Sequence, residues 1–471
     1  VSVSPARKIA FDLLRKVEAE DAYASDALHV ALSPQIRPPV SSADAALATE
    51  LTLGVLRWRA QLDFLLERHL NRPVARLDLP VALALRLGIY QLRFLRRIPA
   101  HAAVHESVEL VKRAKKTSAA PLVNAVLRKA VIESTKPADS LLPVDLSPSE
   151  RLALLYSHPH WLVDRWLSRF GESRSIALLK ANNEVPALAC SLNDPSQRDT
   201  LLAALTGNRF EIAPGALLRD AFRVRGGSPS QTKAFAEGCI SIQDEASQAI
   251  PLLLDTGADD SVLDVCAAPG GKTGPLARAA GPLGLVIAAD LHPHRLLAMR
   301  AQMRRLGLGR VHLVALDAEK PLAFAASVRF DRILVDAPCC GTGTLARHPE
   351  IRWRLAPDNL RQLHRLQTAI LLNALAHLKP GGRLVYSTCS MEPEENEEVV
   401  AEILGQPGTR PHHAVRITRV PRGHALRAVA PHLALGINAD ALFDGDGQFH
   451  TYPDRDGTDG FFAALLEAHH T

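Results

Sequence analysis

Two short segments carry residues whose types suit covalent chemistry. One is Asp336-Ala-Pro-Cys-Cys-Gly-Thr-Gly343 and the other is Ser387-Thr-Cys389-Ser, and each follows or ends an apolar run (RILVDA, 332–337, and RLVYSTC, 383–389) that reads as a β-strand. In an open α/β sheet the ligand lies outside the carboxyl ends of the strands. Neighbouring strands are about 4.8 Å apart, so a strand order 3-2-1-4-5 puts both motifs at one crevice. Cys339 and Cys389, 50 residues apart in the chain, then face the same place. A thiolate there is a nucleophile. Asp336 opens the first motif with an ionisable carboxyl, although beside Pro338 and Gly341 it could also serve only as a strand-end turn former. Cys190 and Cys239 are expected to be inert small hydrophobes.

The loop Cys266-Ala-Ala-Pro-Gly-Gly-Lys-Thr273, after the run VLDVCA (262–267), resembles a phosphate-binding loop but lacks the first glycine, since Cys266 stands five positions before Gly271. A nucleoside triphosphatase is therefore disfavoured. A tight glycine turn after a first strand instead lets the backbone approach a nucleotide-type cofactor. The next run, LVIAAD, ends in Asp290, 19 residues beyond Gly271, and an acidic residue about 20 residues past the glycines is placed to accept ribose hydroxyls. Asp317, after VHLVAL (311–316), could reach the adenine side of the same ligand. Other signals are blander. His101 and His105 are spaced i, i+4 without the glutamate of a zinc protease helix. DGDGQFHTYPDRDG (444–457) fails calcium-loop spacing at Gln448 and Phe449. No metal is expected.

These residues need a sheet to hold them, and the chain supplies one. From Ser261 onward five apolar runs alternate with helical stretches, namely 262–267, 285–290, 311–316, 332–337 and 383–389 against 293–307 and 359–378. A final strand is expected within DGFFAALLEA (459–468). Residues 5–131 are different: Ile9, Leu13 and Val17, then Leu47, Leu51, Val55, Trp58 and Leu62, then Val104, Val108 and Val111 recur at helical spacing, which predicts five to seven helices. Prolines 137, 143 and 148 mark 135–150 as a linker. The expected domains are 1–135 all-α, 149–250 small α+β and 251–471 α/β Rossmann-like.

The 471 residues are 47% hydrophobic and 22% charged, which suits folded domains rather than disorder. No apolar run is long enough for a membrane span, and charges occupy the place of a signal peptide's apolar core. Six cysteines without a C-x-x-C pair give neither a disulfide framework nor a zinc ribbon, so a reducing, cytoplasmic setting is expected. Residues 1–140 hold 21 Lys and Arg against 14 Asp and Glu, while the remainder holds 34 against 36. The positive excess at the front suits docking to a polyanion. The arginine sets 295, 300, 304, 305 and 347, 352, 354, 361, 365 are solvated faces or, for the second, RNA phosphate contacts.

Taken together, CAAPGGKT, AAD (288–290), LDA (316–318), DAPCCGTG and STCSMEPEEN closely resemble the motifs of S-adenosylmethionine-dependent RNA cytosine-5 methyltransferases of the Sun/Fmu ribosomal RNA subgroup. RLGIYQLRFL and IPAHAAVHESVELVKR are similar to the NusB-like domain that precedes the catalytic domain in those enzymes, and IQDEASQ (242–248) to the stretch leading into their core. The resemblance implies an all-α NusB-like RNA-binding domain, a small α+β connecting region and a class I methyltransferase domain. It implies methylation of carbon 5 of a cytosine in small-subunit (16S) ribosomal RNA through a covalent adduct at carbon 6. The poorly nucleophilic carbon 5 requires a thiolate to add first and a base to remove the carbon 5 proton afterwards. Spacing does not say which thiol attacks; the resemblance makes Cys389 the nucleophile, Cys339 the helper in release and Asp336 a contact to the base. It also lines the S-adenosylmethionine pocket with Cys266, Ala267, Ala268, Pro269, Gly270, Gly271, Lys272, Asp290, Asp317 and Asp336. Two positions depart from the family: Cys340 stands where serine is commoner, and Ser191 in SLNDPSQ stands where an arginine is expected. The base would have to be flipped out of its stack. With aromatics only 5% of the chain, phosphate and shape contacts are favoured over an extended stacking platform. The alternatives are the same chemistry on transfer RNA or another ribosomal cytosine, or an idle RNA-binding assembly factor. The protein is expected to act as a monomer.

Overall fold

A computed structural model of the chain describes residues 3–33, 39–207, 210–405 and 415–470. They form two compact units, one of residues 1–185 with 345–355 and the other of 186–344 with 356–471.

The first unit is helical. Its principal helices are Pro5–Ala19, Ser42–Arg57, Arg59–Glu67, Leu79–Phe94, Ala100–Arg113 and Ala120–Glu133. Ser41 caps the second by accepting the Asp44 N–H, and prolines open the first, the fourth and the last, where a missing N–H costs nothing. Leu79–Phe94 is the central element, with Val81 through Gln91 all buried. The helices meet in one core that includes Phe11, Leu14, Val17, Leu51, Val55, Leu62, Leu85, Val111 and Leu127; of the first stripe read from the sequence, Val17 joins it while Ile9 and Leu13 do not. Arg86, almost wholly buried, is neutralised by Asp63 and Glu18 at 2.7 and 2.8 Å.

The proline-rich stretch after these helices does not end the unit. Leu141 and Leu142 are buried, Arg68 donates to the Leu141 carbonyl, and Ser147 with Glu150 forms a capping box that starts the helix Pro148–Leu155. The compact unit therefore runs on to Val185 through the helix His160–Ala181, which is kinked at Gly171. Prolines interrupt helical periodicity, but two adjacent leucines still drive packing.

Residues 345–355 also belong to this unit, and they correct the reading of two members of the second arginine set, Arg352 and Arg354. Arg352 is completely buried and donates to the carbonyls of Ser157 at 2.9 Å and Asn182 at 3.1 Å and to the Asn183 side chain at 2.9 Å. Arg354 is engaged by the Val17 and Ala22 carbonyls. Neither guanidinium is placed for phosphate.

In the second unit a four-stranded antiparallel sheet has the order β2-β3-β1-β4, from β1 (Leu188–Leu192), β2 (Glu211–Pro214), β3 (Ala221–Arg225) and β4 (Ile240–Ile242). Cys190 lies in its core among Leu192, Leu205, Phe222 and Val224, where burial pushes the thiol up to about 12. It is the inert hydrophobe expected.

The larger sheet comprises β5 (Ser261–Asp264), β6 (Leu285–Asp290), β7 (His312–Ala315), β8 (Phe330–Asp336), β9 (Leu378–Thr388), β10 (Val415–Arg419), β11 (Phe449–Thr451) and β12 (Phe461–His470). Its order is β10-β12-β9-β8-β5-β6-β7, with β11 pairing β12. The five strands β5 to β9 pair in parallel in the expected order 3-2-1-4-5, while β12 adds antiparallel to β9. Two apolar clusters cover its faces, one around Ile250, Val262, Met299 and Leu334 and one around Leu263, Ile333, Ile370 and Tyr386. No helix among the described residues is long and apolar enough to cross a membrane.

Candidate active site

The carboxyl ends of β5, β6, β8 and β9 converge, and the loops that leave them hold the chemical residues. After β5 the chain turns through Cys266–Lys272. Gly270 has φ +100°, which favours glycine, and a Cβ there would lie 2.9 Å from the Met303 methyl. At the end of β6 Asp290 is nearly buried and accepts from the backbone N–H groups of Ala268 at 3.2 Å and His292 at 3.0 Å. Arg295 pairs with the same carboxylate at 3.2 Å and also donates to the Ala268 carbonyl. Asp290 and the glycine turn are thus one assembly. Asp317 is turned to its own loop, accepting from Glu319 N–H at 3.1 Å and pairing with Lys320 at 2.9 Å. The Lys320 hydrogen bond holds its carboxyl below the usual range.

Asp264, at the end of β5, was not singled out in the sequence. It is buried, accepts the Thr273 hydroxyl at 2.6 Å through Oδ2, and has no partner on Oδ1. Burial raises its pKa to about 7 against the opposing pull of that hydroxyl. Its signal was an acidic residue inside an otherwise apolar strand run, VLDVCA. Burial, followed by the Asp264 charge, also keeps the Cys266 thiol protonated well above its ordinary range.

The thiol end of the site is built by β8 and β9, which bring Asp336 opposite Ser387. Asp336 accepts Ser387 Oγ–H at 2.8 Å and pairs with Lys272 Nζ at 2.6 Å. The Lys272 side chain, only 10% exposed, also lies 5.1 Å from the centroid of the Phe461 ring. Lys272 therefore links the glycine turn to the strand that carries Asp336, a connection the motif spacing did not reveal. Beyond Asp336, Cys339 Sγ lies 3.2 Å from Cys389 Sγ, both thiols partly exposed. The bond with Cys389 is the first reason that the Cys339 thiol is held well above the usual range, followed by burial and by the charge of Cys389. As a pair they give up one proton far more readily than two.

The third thiol, Cys340, is buried against Ser390 Oγ at 3.2 Å and does not join this pair. Its N–H donates to Glu395, a fully buried carboxylate in the turn after β9. Glu395 falls in the EPEEN end of STCSMEPEEN, a stretch that the family resemblance included without giving this residue a role. The IQDEASQ stretch is held by internal hydrogen bonds. Asp244 caps the helix Glu245–Leu253 and accepts the Asp459 N–H, while buried Glu245 accepts three consecutive N–H groups, 216–218, and Arg223. In the SLNDPSQ segment Asn193 bonds the Gly238 carbonyl and receives Arg278 at 2.8 Å, contacts within the protein itself.

Comparison with known proteins covers almost the whole chain. Residues 251–467 match the family 16S rRNA methyltransferase RsmB/F, residues 4–131 match the NusB family, and residues 158–231 match the RsmF/B-like ferredoxin-like domain. The probable ribosomal RNA small subunit methyltransferase B of Bacillus subtilis (strain 168) is 34% identical over 98% of this chain and 98% of its own. The ribosomal RNA small subunit methyltransferase B of Sodalis glossinidius is 35% identical over 79% of this chain and 84% of its own. A solved methyltransferase homolog from Pyrococcus horikoshii superposes with a TM-score of 0.54 at 30% identity, covering 68% of this chain and 99% of that one. The helical front is accordingly NusB-like, the four-stranded sheet belongs to a small ferredoxin-like domain, and the mixed sheet is that of a methyltransferase domain.

Proposed function

Because this chain belongs to the ribosomal RNA small subunit methyltransferase B family, we propose that it methylates carbon 5 of a cytosine in small-subunit ribosomal RNA through a covalent adduct between Cys389 and carbon 6. The observation that carries this reading is the pair of thiols 3.2 Å apart at the ends of two adjacent parallel strands. A structural role would not require two partly exposed thiols side by side at the ligand end of the sheet.

The residues around the glycine turn fit S-adenosylmethionine. Gly270 lets the turn pass at φ +100° close against Met299 and Met303, Asp290 is anchored at the turn, and Asp264 Oδ1 is a buried acceptor without a donor in a region that suits a cation. Residues 266–272, Asp264 and Asp290 would hold that cofactor, with Asp317 at its edge. When bound, it supplies an electrophilic methyl group.

The chain's own residues do the rest. Cys389 as thiolate forms a sulfur–carbon bond at carbon 6, and the ring electrons displaced from the carbon 5–carbon 6 double bond make carbon 5 nucleophilic. Asp336, oriented by Lys272 and Ser387, faces the polar edge of the base and stabilises positive charge on its protonated ring nitrogen. After carbon 5 carries its new substituent, Cys339, its own proton passed to solvent once Cys389 is bound in the adduct, accepts the carbon 5 proton as thiolate. The electron pair re-forms the double bond and Cys389 departs as thiolate. With Cys389 bound to carbon 6, the hydrogen bond and charge that oppose ionisation of Cys339 are gone, and its raised pKa makes the resulting thiolate a ready proton acceptor. The basic front of the chain supplies the electrostatic part of RNA docking.

The test incubates the protein with methyl-labelled S-adenosylmethionine and, separately, small-subunit ribosomal RNA, large-subunit ribosomal RNA and transfer RNA. Label in 5-methylcytidine of small-subunit RNA, abolished by Cys389→Ala, is the expected result, with Cys339→Ala accumulating protein linked to RNA. Label confined to transfer RNA, or retained in Cys389→Ala, would overturn the substrate or the nucleophile respectively.

A further inference from the structure

Each of the two cysteines sits on a loop, and loops hold atoms less firmly than strands do. Their separation therefore depends on what ties the loops together. Glu395 touches both. It is completely buried, and three donors converge on its carboxylate: the Cys340 N–H at 2.8 Å and the Gln367 side-chain amide at 2.9 Å on Oε1, and the Ser390 hydroxyl at 2.6 Å on Oε2. Gln367 also donates to the Pro338 carbonyl at 2.9 Å. The residues on both sides of Cys339 are thus fixed to the Glu395–Gln367 pair, and the residue after Cys389 is fixed to the other oxygen of the same carboxylate. The main-chain carbonyl of Glu395 in turn accepts the Tyr386 hydroxyl at 2.6 Å, which ties the turn to β9.

We infer that Glu395 is a positioning residue that sets the distance between Cys389 and Cys339, so that one base can meet both thiols in succession. The inference rests on the two-thiol reading above.

Electrostatics argues that this role is geometric. The Glu395 charge raises the thiol pKa of both Cys339 and Cys340, which opposes thiolate formation. Burial also makes the carboxylate costly to keep, pushing its own pKa up. What a carboxylate offers in exchange is two acceptor oxygens with no competing donor, which a glutamine lacks. Other ties exist between the loops, from Gly343 N–H to the Cys389 carbonyl and from Met391 N–H to Thr342 Oγ1. They hold the loops adjacent when Glu395 is altered, so a variant is expected to fold with the thiols misplaced.

Release needs both thiols on the same base, whereas addition needs only Cys389. Loosening the tie should therefore slow release more than addition. Glu395→Gln and Ser390→Ala are compared with wild type, Cys339→Ala and Cys389→Ala on unmodified small-subunit ribosomal RNA. The readouts are turnover, RNA-linked protein on denaturing gels, and cofactor affinity. The expected result is a fall in kcat of about ten- to a hundredfold, in line with ångström-scale misplacement. The share of protein trapped on RNA should rise towards that of Cys339→Ala, and cofactor affinity should be unchanged because Glu395 and Ser390 bond none of the residues assigned to the cofactor. Wild-type turnover in both variants would overturn the inference, as would lost turnover that follows lost cofactor binding with no rise in trapped protein. Absence of any Cys389-dependent adduct in Cys339→Ala would instead fell the two-thiol reading, and the inference with it.

Discussion

At the residue scale the site is a set of groups whose ordinary chemistry is altered by where they lie. Cys339 and Cys389 share a hydrogen bond at 3.2 Å, so charge on one keeps the proton on the other, while Cys266 and Cys190 are simply kept neutral by burial. Asp264 is the residue with the most measurable consequence, because it titrates near neutrality, at about 7, facing Thr273, Lys272, Asp290 and Asp336. Its folded pKa lies above the unfolded value of 3.8, so the folded state holds the proton more tightly. Stability from this group is fully present below about pH 4 and is lost as pH rises through about 7, with a slope of at most about 1.4 kcal/mol per pH unit. A cation bound beside it reverses the preference. Affinity for the positively charged cofactor should climb as pH rises towards about 7 and level off above it, with protons released on binding at lower pH. Calorimetry in buffers of different ionisation enthalpy measures this, and Asp264→Asn should remove both the slope and the proton release.

At the element scale the site depends on close approach between loops. Gly460 N–H donates to the Gly343 carbonyl at 2.8 Å, and a Cβ on Gly343 would lie 2.0 Å from the Gly460 carbonyl oxygen. Gly343→Ala should therefore push the start of β12 away from the Pro-Cys loop and lower kcat by about a hundredfold, with the large sheet otherwise intact by circular dichroism. Wild-type turnover in that variant would show that the crossing is dispensable. The five parallel strands were legible because each is a short apolar run ending in a turn motif, and the order 3-2-1-4-5, taken as a premise from the common architecture of such sheets, predicted the meeting of Cys339 with Cys389. Which polar groups become buried was not legible. Glu395 and Arg352 look like surface charge in EPEEN and in RHPEIRWR, because their burial is decided by partners far away in sequence, Gln367 and Cys340 for one, Ser157 and Asn182 for the other. The proline-rich stretch 135–150 lies between the NusB match, 4–131, and the ferredoxin-like match, 158–231, while periodicity did not reveal that Leu141 and Leu142 are buried.

At the scale of the whole molecule, the sequence directly after the Pro-Cys loop belongs to the helical unit. Residues 345–355 leave the methyltransferase domain and pack with 1–185 before the chain returns. Arg352 anchors them without a carboxylate partner, and burial, followed by the nearby Arg57, holds its pKa well down. Arg352→Leu would strand several buried carbonyl oxygens, at a cost of about 3 kcal/mol or more, read as a lower midpoint in denaturant unfolding of the full chain. A change within about 0.5 kcal/mol would show that these carbonyls find water instead. The most direct test of the central claim uses small-subunit ribosomal RNA carrying 5-fluorocytosine, whose carbon 5 fluorine cannot be removed as the proton is. With S-adenosylmethionine present, the account predicts a stable protein–RNA link mapping by peptide mass spectrometry to Cys389; a link at Cys339, or none while unfluorinated RNA is methylated, would contradict it.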